Sequence, residues 1–172
     1  MVRFGNGIIS LIKFKVGFVN ELILVNSPNP NFSYLRTMLS KKTKYGLKAL
    51  TYLAKQNNTN PVPIGEIAAS KNISQKFLES ILLTLRRTGV LGSKKGKGGG
   101  YYLIKEPSKI LMTDVIRALE GPIAMVPCVS LNFYEKCDDC PDEEACSVHK
   151  LMLKVRDSAL EIYRNNTLAD LV

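Results

Sequence analysis

The chain has 172 residues, 45% hydrophobic and 23% charged, the balance of a globular protein with room for one domain and an appendage. No run approaches the ~20 uninterrupted apolar residues that cross a bilayer. No segment has the clean apolar stretch and small-residue cleavage site of an export signal, so a cytoplasmic protein is expected and a membrane protein is not. The net charge of +9 is unevenly spread: residues 38–110 hold 14 Lys/Arg against 3 acids, and residues 111–172 hold 6 against 11. A basic block beside an acidic one is the footprint of a polyanion-binding domain joined to a segment with another task. A solvated basic face would give the same charge.

Residues 1–37 contain an apolar run from Ile8 to Val25 broken by Lys13, Lys15, Asn20 and Glu21, then the loop-like Asn26-Ser27-Pro28-Asn29-Pro30. The alternation in Leu11-Ile12-Lys13-Phe14-Lys15-Val16 suits a strand or hairpin, which alone is marginal in water. The expectation is an extension of little structural consequence upstream of a natural beginning at Met38.

From Ser40, the three- and four-residue spacing of Tyr45, Ala49, Tyr52 and Leu53 predicts a first amphipathic helix, ended by the polar run Gln56 to Asn60. Pro61 and Pro63 make an extended link and position Pro63 to start a short second helix, Ile64 to Ser70. Lys71-Asn72-Ile73 reads as a turn, and Ser74 as the cap of a third helix with an apolar stripe of Phe77, Leu78, Ile81, Leu82 and Leu85, stopped by Gly89. Short helix, tight turn and longer helix make a helix-turn-helix. Its exposed Ser74, Gln75, Lys76, Glu79 and Ser80 are placed to read base edges, and Arg86 and Arg87 to meet phosphates. The same pattern also occurs in bundles that touch no nucleic acid.

Val90 to Ile104 reads as strand, loop and strand: a β-hairpin wing. Gly96, Gly98, Gly99 and Gly100 let its backbone approach a phosphate or enter a minor groove, and Lys94, Lys95 and Lys97 neutralise charge there. A nucleotide-binding loop is the rival, but neither G-x-x-x-x-G-K-[ST] nor G-x-G-x-x-G is present.

Thr113 is expected to cap a helix through Leu119 that Gly121-Pro122 terminates. All four cysteines, Cys128, Cys137, Cys140 and Cys146, fall within 19 residues, and the single histidine, His149, follows three residues later. Cys137-x2-Cys140 and Cys146-x2-His149 have spacings by which a loop and a helix turn surround a metal. Zinc would take Cys137, Cys140, Cys146 and His149 in a closed tetrahedral site, although the gap between the pairs is tighter than in zinc fingers. An iron-sulfur cluster is the competing reading, and incidental buried thiols a weaker one for four cysteines in one loop. A redox enzyme built on the C-x-x-C is disfavoured. No thioredoxin-like βαβ pattern surrounds it, and Asp138, Asp139, Asp142, Glu143 and Glu144 oppose thiolate formation. A final helix, roughly Ser147 to Arg164, places Val148, Leu151, Met152, Val155, Ala159 and Ile162 on one stripe, which suits a dimer seam.

Tyr45-Gly46-Leu47-Lys48-Ala49-Leu50, Ile73-Ser74 with Phe77-Leu78-Glu79, Leu85-Arg86-Arg87-Thr88-Gly89, Gly98-Gly99-Gly100-Tyr101, Ala118-Leu119-Glu120-Gly121-Pro122 and Thr167-Leu168-Ala169-Asp170-Leu171 together resemble the Rrf-two family of bacterial regulators, which includes IscR, NsrR and CymR. The resemblance runs from Met38 to the C-terminus. It implies a mainly α fold with a small β-hairpin: a winged helix-turn-helix over residues 38–109, then a cysteine-rich sensor loop and long dimerisation helix over 110–172. It further implies a homodimeric repressor on palindromic double-stranded operator DNA, with cluster cysteines in some members and none in others. Carried over residue by residue, the cluster ligands are Cys128, Cys140 and Cys146, with His149 resembling the fourth ligand of the IscR branch. The interval from Cys128 to Cys140 is longer than in the family's sensors and Cys137 is extra, a possible substitute ligand. A regulator without a cofactor, or a zinc or thiol switch answering to a partner protein or to oxidation, is the alternative.

Overall fold

The computed structural model describes residues 39–56 and 60–172; the expectations for residues 1–37 and for a start at Met38 lie outside the described residues. Leu39–Val172 forms one compact unit. Helices α1 (Lys41–Lys55), α2 (Ile64–Lys71) and α3 (Gln75–Arg87) lead into strands β1 (Leu91–Lys94) and β2 (Gly100–Leu103), then α4 (Met112–Glu120) and α5 (Ser147–Arg164).

Helix α1 begins where Ser40 accepts a hydrogen bond from the Thr43 N–H at 3.1 Å, which satisfies one of the donors a helix start leaves unpaired. At its middle, Gly46 lies against Leu119 of α4 and Ile81 of α3, where a Cβ would come within 2.6 Å of Leu119 Cδ1. Helix α2 ends on Asn72 in the left-handed region, φ 51°, a conformation Asn tolerates better than most residues. That sharp stop lets α3 start three residues later and cross α2 as a helix-turn-helix. Leu50, Ile67, Leu78, Ile81, Leu82 and Leu85 are fully buried where the three helices meet, each contributing about 1.5–3 kcal/mol of transfer free energy.

The hairpin pairs antiparallel with Leu91 opposite Leu103 and Lys94 opposite Gly100. It is tied to the body, because Val62 in the link before α2 exchanges two 2.9 Å backbone hydrogen bonds with Tyr101. Gly100 makes this possible: a Cβ there would run into the Val62 carbonyl. Helix α4 packs Val115, Ile116 and Leu119 into the same core. The chain end returns to it as well. The Met112 N–H donates to the Asn166 carbonyl and the Leu168 N–H to that of Ile110, both at 2.9 Å, and Leu168 is fully buried.

Three expectations are corrected. Thr113 does not cap α4; Leu111 holds that position, and Thr113 is buried in the first turn with its hydroxyl unpartnered. Phe77 is 39% exposed instead of buried with the α3 stripe, because it lies at the edge of that stripe and meets Tyr45 edge-on with ring centroids 5.9 Å apart. Ser74 occupies the cap position of α3 but its side chain makes no capping hydrogen bond.

Candidate nucleic-acid interface and cysteine cluster

The outward side of α3 carries Gln75, Lys76, Glu79 and Ser80, all exposed, with Ser74 just before them. Leu78, Ile81, Leu82 and Leu85 anchor the opposite side, so the polar residues are held on a rigid element. The Ser80 hydroxyl donates to the Phe77 carbonyl at 2.8 Å, which leaves its lone pairs outward. At the far end, Arg86 donates to the Ser93 hydroxyl at 3.2 Å; it braces β1 against α3, a role its position in the sequence did not suggest. Arg87 is exposed, as are Lys94, Lys95, Lys97 and Gly98 of the wing, while Gly99 is half-buried in the loop. Gly96 and Gly98 have φ of 91° and 74°, conformations that bulky side chains avoid.

Sequence reasoning missed an aromatic and basic patch beside this face. Phe77 and Tyr45 stack edge to face, and Lys48 sits 5.8 Å from the Tyr45 ring centroid. The helical stripe assigned both rings to the core, and only the crossing of α1 over α3 brings them to its rim.

The second cluster lies where the chain leaves α4. Gly121, at φ 92°, ends that helix, and a short turn, Pro127–Val129, buries Cys128 against α5. Arg156 of α5 holds this turn by donating to the Val129 carbonyl at 2.7 Å, and a salt bridge of the same length to Asp157 orients it. Cys146 is the cap of α5, its sulfur accepting the His149 N–H at 3.4 Å. The His149 ring reaches back so that Nδ1 is 3.4 Å from the Cys128 sulfur. Across the loop, the Tyr134 hydroxyl donates to Glu143 at 2.8 Å.

All four cysteines are free thiols; Cys128 is buried and the others are half-buried. Burial pushes the Cys128 thiol up, reinforced by the neighbouring Cys137 and Glu143, and burial likewise raises Cys140, reinforced by Cys146, Cys137 and Glu143. Cys146 moves down, because the His149 N–H outweighs burial in favouring its thiolate. The Cys140 thiol donates to the Asp142 carbonyl at 3.5 Å. Among the described residues, no group of three or more His, Cys, Asp or Glu side chains is gathered closely enough to hold a metal ion. The donor set itself, soft thiols with one imidazole, suits iron-sulfur or zinc chemistry.

A model of the Rrf2 family, described as an iron-dependent transcriptional regulator, matches residues 39–172. The chain belongs to the Rrf2 family. It is a DNA-binding transcription regulator, and its relatives are regulators rather than enzymes. An rrf2-like helix-turn-helix regulator of Rhodobacter capsulatus is 41% identical over 138 residues, covering 78% of this chain and 92% of that protein. CymR of Bacillus subtilis is 35% identical over 133 residues, covering 77% and 88%. The solved structure of that CymR, the global cysteine regulator of B. subtilis, superposes with a TM-score of 0.63 over 78% of this chain and 95% of its own, at 34% identity. The T. potens IscR structure does so with a TM-score of 0.60 over 79% and 86%, at 33% identity. Among the described residues no helix is long and apolar enough to cross a membrane.

Proposed function

We propose that this Rrf2 regulator is a repressor that binds a palindromic operator as a homodimer and senses iron-sulfur or redox status through its cysteine loop. The observation that carries the reading is the placement of four free thiols and the single histidine between α4, which packs on the helix-turn-helix core, and α5, whose apolar face is largely uncovered. Val148, Leu151 and Ile162 are exposed, and Met152, Val155 and Ala159 half-buried, so the whole stripe is available to a second copy. A two-fold axis along α5 would set the spacing of the two α3 helices on DNA.

Cys128, Cys140, Cys146 and His149 are the residues that would hold an iron-sulfur cluster, with Cys137 as substitute ligand; when bound, the cluster supplies redox and nitric oxide sensitivity. The protein's own part is the linkage. Arg156 and Cys146 tie the loop to α5, and Gly121 joins it directly to α4. A change in the loop can therefore bias the hinge between the DNA-reading core and the dimer seam.

The free, half-buried thiols of Cys137, Cys140 and Cys146 support a second reading, a zinc or thiol switch without a cluster, and the CymR relatives fit a regulator of that kind. Full-length protein purified anaerobically decides between them by its ultraviolet-visible spectrum and its iron, sulfide and zinc content. Visible absorbance with bound iron that falls on serine replacement of Cys128, Cys140 or Cys146 supports the cluster. A colourless, zinc-binding or metal-free protein after reconstitution with iron and sulfide rejects it.

A further inference from the structure

We propose that the cleft between the end of α4, the segment after the Pro127–Val129 turn, and α5 binds a small apolar monocarboxylate, with Arg117 as the partner of its charge. Neither His149 nor any cysteine lines this cleft. The proposal therefore holds whether the neighbouring loop carries a cluster, zinc or bare thiols.

The cleft exists because the chain leaves α4 and returns along a different line. Gly121 ends the helix at φ 92°, and a Cβ on it would meet nothing within 4 Å, so open space lies beside the helix end. The chain is brought back where Arg156 of α5 donates to the Val129 carbonyl at 2.7 Å. The Ser130 hydroxyl then accepts the Phe133 N–H at 3.1 Å, and the Pro127 carbonyl accepts the Glu135 N–H at 3.4 Å. These bonds curl residues 130–135 into a wall that faces α4. The enclosed volume is about 230 Å³, with the buried Leu160 of α5 among its lining residues. Drug-sized sites take ~300–1,000 Å³, so this one suits a compact ligand such as a branched-chain or phenyl-substituted acid.

Two kinds of chemistry converge there. Ile123, Leu131, Phe133 and Leu160 supply apolar surface against which hydrocarbon is favourably buried. The polar lining is Arg117, Ser130 and Asn132, and no lining residue is acidic. Arg117 is half-buried, and its guanidinium meets no carboxylate and no other acceptor among the described residues. Partly withdrawn from water, an unpaired charge is costly, and the planar fork of a guanidinium matches a carboxylate bidentately. Ser130 is buried; its oxygen accepts from Phe133, while its proton has no acceptor among the described residues. It offers the same anion a further donor.

Arg117 also borders a neighbouring cleft beside Lys105, Lys109 and Asp114. That cleft is the rival for an anion. Its Lys105, Lys109 and Asp114 are exposed charges of both signs, which favour water and salt, and it lacks the wall of Leu131 and Phe133.

The test titrates the full chain, as purified, with phenylacetate and 4-methylvalerate in a calorimeter, and with phenylacetamide as the neutral isostere. The acids are expected to bind, with the amide weaker by about 10- to 100-fold, the range of a charge-assisted contact. Bound acid should also raise the melting temperature. Arg117→Gln is expected to bring the acids down to the level of the amide, and Phe133→Ser, at an exposed position, to weaken acid and amide alike. The acid-to-amide comparison needs only the wild-type chain, so it decides the matter should Arg117→Gln fail to fold. No heat and no melting shift with either acid at millimolar concentration, equal affinity for acid and amide, or full affinity in folded Arg117→Gln would each overturn the proposal. So would binding of inorganic phosphate in place of the acids, lost on replacing Lys105 and Lys109 by alanine, because the anion site would then be the neighbouring cleft. Dissociation of the protein by Phe133→Ser in sedimentation would assign the cleft to a second copy and overturn it as well. None of these outcomes bears on whether the cysteine loop binds a cluster, which the anaerobic spectrum reads separately.

Discussion

Lys76 stands on the outward side of α3 with its charge in solvent, and its length lets it reach a guanine edge where Ser74 and Ser80 would reach only the groove wall. Lys76→Ala is expected to cost about 1–3 kcal/mol on the preferred operator and much less on random duplex, as fluorescence anisotropy at matched salt would record. Equal losses on both would reduce Lys76 to a phosphate contact. Glu120 works at the other end of the domain, where its carboxylate accepts the Ser40 N–H at 2.7 Å at the start of α1. Partial burial pulls its pKa up, but the hydrogen bonds from Ser40 and Thr43, with Lys42 nearby, outweigh this and hold it below the usual carboxylate range. A depressed folded pKa means that the stabilisation is fully present above the unfolded value of about 4.3 and is lost as pH falls through the folded one. Glu120→Gln, which keeps an acceptor but no charge, should therefore melt below wild type at neutral pH and converge with it in acid. A constant offset across pH would exclude the ionised carboxylate as the cause.

At the scale of elements, the wing is held by its contact with the link before α2 as much as by its own ladder. Gly100 is the pivot, because the obstacle to a side chain there is the Val62 backbone and backbone cannot swing aside. Gly46 differs: a Cβ there meets the movable end of Leu119, and the helix-propensity gain of about 1 kcal/mol for alanine offsets part of the crowding. Gly100→Ala is accordingly expected to lower stability by at least about 1–3 kcal/mol in urea unfolding and to weaken operator binding beyond that, by misplacing Lys94, Lys95 and Lys97. Unchanged unfolding would show that the wing does not depend on the Val62 junction.

For the whole molecule, the distribution of apolar surface is decisive. The described core is complete without α5, which buries only Leu160 of its own residues. A charge placed on its apolar face should therefore spare folding and destroy assembly. Leu151→Asp is expected to give a folded monomer with weak operator affinity, since one recognition helix cannot reproduce a two-site contact; an intact dimer in sedimentation would refute the α5 seam. The core described above is built from residues 49–168. A chain beginning at Met38 is thus expected to match the full chain in melting temperature and operator affinity, and loss of either would assign residues 1–37 a structural role.

Much of this was legible in residue order, because the signals are local. Periodicity placed α1, α2 and α3 to within a residue or two, the glycines and lysines between Val90 and Ile104 marked the wing, and Ser147 to Arg164 is the observed α5. The crowding of four cysteines and one histidine marked the candidate site between α4 and α5 before any contact was known. What residue order could not supply were the outcomes of packing between segments distant along the chain. Phe77 carries the core signature of its helix yet lies at the rim with Tyr45. Thr113 has capping chemistry, but the return of the C-terminal turn onto Ile110 and Met112 moves the helix start and buries it. Arg86 has the charge for a phosphate, and the fold also gives it a hydrogen bond to Ser93 of the wing. The cysteine set was determined by sequence; that Cys128 is buried against the His149 ring while Cys137, Cys140 and Cys146 stay half-buried was decided by the fold, because the turn Pro127–Val129 packs under α5 and Arg156 holds it there.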